Sequence, residues 1–289
     1  MSPVRRAARS ARSRKALDTP APPQVNTKAS RADCLAIGKV AEAAERWDDV
    51  IAQVKNIISY SNAHLNIEER NLLSVAYKNK TGALRTSWRT VDTLAKHAAA
   101  LAAAGRNVPL REQALLRRQR EKIEGELAAA CEELLDMLKN ELVPAAGVGE
   151  ERVFYYKMQG DYYRYVTEFS TRPPHAAYAT RSLDAYTAAY KHAVGTLAPW
   201  HPTRLGLALN FAVFFRDVRA SPERACHLAK HAFDEAVARL DELDAMPEQT
   251  VKDAVMILQL LRDDLILWSG EMATMDREEE ERKQQPEKR

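Results

Sequence analysis

From Asn66 to Gly105 the chain runs forty residues without a proline and with one interior glycine, Gly82, closing on the alanine-rich word HAAALAAAG. Nothing in that stretch removes a backbone donor, and its residues lose little freedom on entering a helix, so one long helix is expected. Asn66 should start it, and Gly105 should end it as a left-handed cap. The same bias holds elsewhere. The 289 residues are 46% hydrophobic and 29% charged, with only 10 glycines and 6 phenylalanines, and period-two alternation is scarce. Length alone suggests about two domains, but this pattern favours one all-helical body. Nine helices are expected, near residues 31–46, 48–60, 66–105, a fourth opened by Asn107 and Pro109, then 150–170, 174–198, 202–219, 222–243 and 247–270. Ser221 can cap the eighth and Pro222 fits its first turn, although Arg224 leaves the capping box incomplete. A tetratricopeptide solenoid is the structural alternative, suggested by hairpin words such as AFDEAVARL and weakened by the lack of a clean repeat period.

Charge is unevenly spread. The formal +3 divides into +7 over Met1 to Ala32, where eight lysines and arginines face Asp18 alone, and −4 over the rest. Residues 1–30 lack apolar periodicity and are expected to form a disordered basic extension. Their Arg-rich, Ser-containing, acid-poor composition also fits a mitochondrial import signal, with a thin apolar face. Binding of this tail to nucleic acid or an anionic surface is a further alternative, whereas the mildly acidic body is not expected to bind nucleic acid. Residues 271–289 carry seven acids and five bases without apolar period and are also expected to be disordered. Cys34, Cys131 and Cys226 are odd in number and far apart, which gives no disulfide framework or zinc spacing and points to a reducing compartment. The longest apolar run, Leu205 to Phe215, is too short to span a bilayer. A soluble, cytoplasmic protein is expected.

Chemistry concentrates in Val153–Phe169, VFYYKMQGDYYRYVTEF, where Arg164 and Tyr165 set a guanidinium beside a phenol. An Arg fork matches the oxygens of a phosphate, and a phenol can add one short bond to the same group. Taken alone, an arginine on such a helix is more often half of a structural ion pair, and Asp161, three before Arg164, and Glu168, four after it, are the candidates to hold its guanidinium. A second word, Arg70–Arg89 (RNLLSVAYKNKTGALRTSWR), adds Lys78 and Arg85, seven apart and therefore on one helical face. Three cations and a phenol brought together repel one another unless an anion visits.

These words, with His201–Phe214 (HPTRLGLALNFAVF), Ser221–Leu240 (SPERACHLAKHAFDEAVARL) and Gln259–Trp268 (QLLRDDLILW), closely resemble the 14-3-3 family of phosphoserine- and phosphothreonine-binding adaptors, from about Arg31 to about Gly270. The resemblance implies an all-α, cup-shaped dimer of nine antiparallel helices. It assigns Lys78, Arg85, Arg164 and Tyr165 to a client's phosphate, and Lys157 and Asn210 to its backbone. Leu209, Val213, Ile257, Leu260 and Trp268 would form the apolar wall. By spacing alone such stripes are usually core. Across the dimer axis it implies Arg46 with Glu126 and Asp49 with Lys122, apolar contacts at Val40 and Ala44, and Ser87 in the seam as a phosphorylation point or a simple buried serine. The partners implied are phosphorylated clients and a second 14-3-3 chain, the same or different. No cofactor is implied.

Four departures stand out. Asp264 replaces a family asparagine and Asp217 a glutamate at backbone-holding positions, and an ionised Asp accepts but cannot donate. Gln119 replaces a seam tyrosine, and the stretch from Trp88 to Glu121 is several residues longer than usual, so the third helix should gain one or two turns. The rival function is a scaffold that has lost phosphate dependence and acts through its dimer partner or basic tail. No enzyme is expected: GxxxxGK[ST], GxGxxG and GxSxG are absent, and His227 and His231, four apart, lack a third ligand.

Overall fold

The computed structural model describes residues 29–169 and 174–284. The basic extension expected over residues 1–30 therefore lies, apart from its last two residues, outside the described residues. Among them are nine helices of thirteen residues or more: α1 (Arg31–Ala43), α2 (Trp47–Ser61), α3 (Ile67–Ala103), α4 (Leu110–Met137), α5 (Glu150–Phe169), α6 (Pro174–Thr196), α7 (Pro202–Asp217), α8 (Pro222–Val237) and α9 (Glu248–Gln284).

The ends follow from local chemistry. Ser30 and Asp33 form a reciprocal capping box on α1, and Asn66 and Glu69 form another on α3. At the far end of α3, Gly105 turns left-handed at φ 76°. The Arg106 amide donates to the Leu101 carbonyl, and that of Gly105 to Ala102, which is a Schellman closure. The next start differs from expectation. Pro109 occupies the cap position of α4, so no side chain caps it, and Asn107 lies outside. Ser221 sits at the cap of α8 without a capping hydrogen bond. α4 passes into a π-helical turn, Leu138–Leu142, in which the Val143 amide donates to the Leu138 carbonyl. Pro144 follows and has no amide to continue an α-helical ladder.

α9 runs to Gln284, well past the expected end near residue 270. The segment EMATMDREEEERKQ consists mostly of good helix formers, and the first breaker is Pro286. Residues 285–289 are outside the description.

Three apolar clusters hold the helices. The largest joins α1, α2, the first half of α3, the second half of α4 and α5, with Ile57, Leu73, Leu127, Leu134 and Tyr155 fully buried. A second joins α7, α8 and α9 through Leu205, Ala229, Leu258 and Leu261. The third lies where α5, α6 and α7 meet, around Val153, Tyr186, Phe211 and Phe214. The Tyr186 and Phe211 rings stack there at 5.2 Å. α5 thus belongs to two clusters, and the candidate site lies along it.

Candidate functional site

Three elements supply the site, and two of them its cations. α3 carries Lys78, Arg85 and Arg89; α5 carries Lys157, Arg164 and Tyr165; α7 supplies Asn210 and Asp217. The structure brings them together around the Tyr165 ring. The Arg85 guanidinium lies 4.0 Å from the ring centroid and that of Arg164 4.9 Å. A pocket of about 330 Å³ is lined by Lys78, Lys157, Asp161, Tyr165 and Asn210, with Ser74 and Phe154 among its other walls. A second, of about 380 Å³, is lined by Arg85, Arg89, Arg164, Glu168 and Asp217.

Asp161 organises the first pocket. The residue is 6% exposed. It accepts from Lys157 Nζ at 2.9 Å, Asn210 Nδ2 at 2.7 Å and the Tyr186 hydroxyl at 2.5 Å, and Arg164 stands 3.9 Å away. Burial alone would raise its pKa; Lys157, Arg164 and the Tyr186 hydroxyl outweigh that and hold it below the usual carboxylate value. Arg164 Nε donates to the Tyr186 oxygen at 3.2 Å. Burial also raises the Tyr165 phenol, with Asp161 adding to the rise, so the phenol remains a donor at neutral pH.

Glu168 does not hold Arg164. It pairs instead with Arg85 at 2.7 Å and with Arg89, both on α3. Lys78 is exposed and has no ion pair or hydrogen bond among the described residues. The site therefore gathers five cations, Lys78, Arg85, Arg89, Lys157 and Arg164, against three carboxylates, Asp161, Glu168 and Asp217.

On the opposite side, Leu209, Val213 and Ile257 are partly buried against the second cluster, and Leu260 is half exposed. Trp268 packs in the same cluster as Leu209, Val213 and Ile257 and is more deeply buried than they are. It is 3% exposed within the second cluster, with the Arg216 guanidinium 5.9 Å from its ring centroid. Asp217 is exposed and pairs with Arg216 at 3.0 Å, and Arg216 also binds Glu271 at 2.7 Å. Asp264 has no partner among the described residues. Burial raises its pKa, Arg216 opposes the rise, and Asp217 and Asp263 add to it.

The residues assigned to a dimer seam lie on the surface of the single chain. Val40 is 71% exposed, and Ala44 and Ser87 are exposed. The Ser87 hydroxyl donates to the Ala83 carbonyl at 3.0 Å. The four seam charges pair locally, Arg46 at the cap of α2 with Asp49 and Lys122 with Glu126 on α4.

Sequence reasoning missed Tyr186 and Arg89. Arg89 was reachable, since it stands four after Arg85 on the same face. Tyr186 comes from a helix 25 residues beyond Asp161, and no local signal marks it. His227 and His231 have ring centroids 6.4 Å apart, and no group of three potential metal ligands occurs among the described residues. No helix among them is long and apolar enough to cross a membrane.

The family model for 14-3-3 proteins matches residues 37–269. The chain belongs to the 14-3-3 family. It is 48% identical to a 14-3-3 protein homolog of Candida albicans over 83% of its own length and 88% of the relative's. It is 46% identical to the checkpoint signal transducer rad25 of Schizosaccharomyces pombe, over 84% of this chain and 86% of that one. With protein BMH2 of Saccharomyces cerevisiae the identity is 44%, over 87% and 89% respectively. The 14-3-3 fold accounts for the nine helices and for the solenoid-like hairpins without a repeat.

Proposed function

We propose that this 14-3-3 protein is a stoichiometric adaptor that binds client segments phosphorylated on serine or threonine. The excess of cations around Tyr165 carries the reading. Arg85, Arg164, Lys78 and the Tyr165 hydroxyl form a donor set for a phosphate dianion, and Lys78 has no competing partner. In water such like charges separate; here the buried Asp161 and Tyr186 and the partly buried Glu168 hold Arg85, Arg89, Lys157 and Arg164 in place, so little ordering is left for the ligand to impose. Lys157 and Asn210 line the same pocket and would take the client's main chain, while Leu209, Val213, Ile257 and Leu260 meet its flanking side chains. The adaptor works in the cytoplasm, pairs with an identical or a related 14-3-3 chain, and presents two grooves, so doubly phosphorylated clients gain from effective concentration. The phosphate is the switch, and no reaction is catalysed.

A labelled phosphoserine peptide with an upstream Arg and a Pro two residues after the phosphoserine, titrated beside its unphosphorylated twin, tests this. Micromolar or tighter binding of the phosphorylated form alone is expected. Equal binding of the two, or none, overturns it.

One observation favours the second reading, a scaffold independent of phosphate: the Asp264 carboxylate lies partly buried near Asp217 without a partner, adding negative charge on the wall side.

A further inference from the structure

A hollow larger than either groove pocket opens where α1 and α3 begin. It measures about 520 Å³ and is lined by Leu35, Lys39 and Glu42 of α1 and by Ile67, Asn71 and Leu72 of α3. Its floor is closed near Gly38, where an added Cβ would meet the Leu72 side chain at 2.8 Å. The walls leave apolar surface in water: Ile67 is 64% exposed at the first position of α3, and Leu35 is half-buried. The rim is acidic. Glu68 pairs with Lys39, and Glu42 has no ion pair among the described residues.

This hollow is separate from the surfaces already assigned. It shares no lining residue with the pockets around Tyr165. On α1, Leu35, Lys39 and Glu42 are rotated roughly 100–160° away from Val40, whereas Ile37 and Ala44 lie within about 60° of Val40 on its other flank. On α3, Leu72 precedes Ser87 by fifteen residues, about 22 Å of helix. A second copy seated on Val40 and Ala44 therefore does not fill it.

The start of the chain leads to it. Arg31 ties the first turn of α1 to the head of α3, through Glu69 at 2.6 Å and the His64 carbonyl at 2.9 Å, so the chain enters α1 beside the helix that Ile67 begins. Val25 stands five residues before Ser30; an extended run of that length reaches about 17 Å, whereas Lys39 lies about 13 Å along α1. The word LDTPAPPQV, Leu17 to Val25, carries an aliphatic residue at each end and three prolines between them. Those prolines restrict the free segment to extended forms, so docking it costs less entropy. Lys28 and the arginines further out complement the acidic rim. We infer that the hollow between α1 and α3 is the docking site of the chain's own N-terminal extension, with Leu17 and Val25 against Leu35 and Ile67. The tether holds the segment at about millimolar effective concentration, enough to fill a weak site. This inference does not rest on the function proposed above.

Hydroxyl-radical footprinting of the full chain, read by mass spectrometry, tests this. Leu17→Asp/Val25→Asp should raise the oxidation rate of Ile67 by about threefold, the change expected when a segment docked about two thirds of the time is released. Ile37, exposed on the seam side of α1, should react at the same rate in both proteins. Glu42→Arg, on the rim, should release the segment as well, raising the rates of Ile67 and Val25 with an unchanged helical circular dichroism spectrum. Equal rates at Ile67 in the parent and both variants would mean that the hollow stays open or is filled by something else, and would overturn the inference. So would protection of Ile67 that fades on dilution, which would assign the hollow to the extension of a second copy.

Discussion

Asp161 and Asp264 are carboxylates of one protein with opposite surroundings. Asp161 gave up its hydration for Lys157, Arg164, Asn210 and Tyr186, and it stays ionised below the usual range. Asp264 lost part of its hydration and gained Asp217 and Asp263 as neighbours, so its pKa is raised. The sign of the linkage follows. A carboxylate whose folded pKa lies above its unfolded value binds its proton more tightly in the native state, so it costs stability when ionised, and that cost fades as pH falls through the raised pKa. Asp264→Asn should therefore raise the melting temperature at neutral pH, with the gain over the parent shrinking to nothing under acidic conditions. The same variant regains a side-chain donor and loses a negative charge. Its affinity for the phosphoserine peptide should improve by about tenfold, the equivalent of one recovered hydrogen bond. Thermal melts across pH and one titration check both; a variant no more stable at neutral pH than in acid would show that Asp264 is solvated like any surface carboxylate.

At the level of helices, the site depends on how closely α5 and α6 pack. Gly160 makes that approach possible: a Cβ there would meet the Tyr186 ring at 2.6 to 2.8 Å. The ring is fully buried against Phe211 and Phe214, so it cannot yield freely. Gly160→Ala should therefore destabilise the protein by about 1–3 kcal/mol through overpacking, although alanine is the better helix former. Because the Tyr186 hydroxyl ties Asp161 to Arg164, the phosphopeptide should also bind more weakly. Denaturant melts and a titration of the variant measure the two effects, and a stabilised variant would mean that the helices simply move apart. Gly160 also marks how far the sequence could be read. The helices were legible because capping residues and helix formers act locally, as at Asn66 and Gly105. Lys78, Arg85, Arg164 and Tyr165 were legible as a group only through resemblance to the family, since two helices contribute them. Glu168 was assigned to Arg164 on its own helix, but it reaches across to α3, where Arg85 and Arg89 both point at it. Trp268 was placed on the wall by resemblance to the family, whereas spacing alone favoured core, and the packing of Arg216 beside its ring was visible in neither. Charge patterns along one helix show which groups could pair, but tertiary packing chooses among them.

For the molecule as a whole, the single chain leaves a face that a second copy would complete. Ile37 and Val40 on α1 are 47% and 71% exposed, and Leu94 on α3 is 51% exposed. The four charges beside them already pair locally, Arg46 with Asp49 and Lys122 with Glu126. Association through the family's seam would exchange those partners for the same types across the axis. Exposed ion pairs contribute roughly 0–1 kcal/mol each, so this exchange is close to neutral, and the apolar contacts must supply the affinity. That makes the aliphatic residues, not the charges, the decisive variants. Val40→Asp should convert the dimer to a monomer by sedimentation at micromolar concentration, with unchanged helicity, because Val40 makes little contact within its own chain. Arg46→Ala should leave most of the dimer intact. The reverse order of effects would show that the seam is held by charge, and a monomeric parent protein would show that the longer α3 and the loss of the seam tyrosine at Gln119 have abolished pairing. In that case bivalent clients would lose their advantage while single phosphopeptides bound as before, since every residue around Tyr165 comes from one chain.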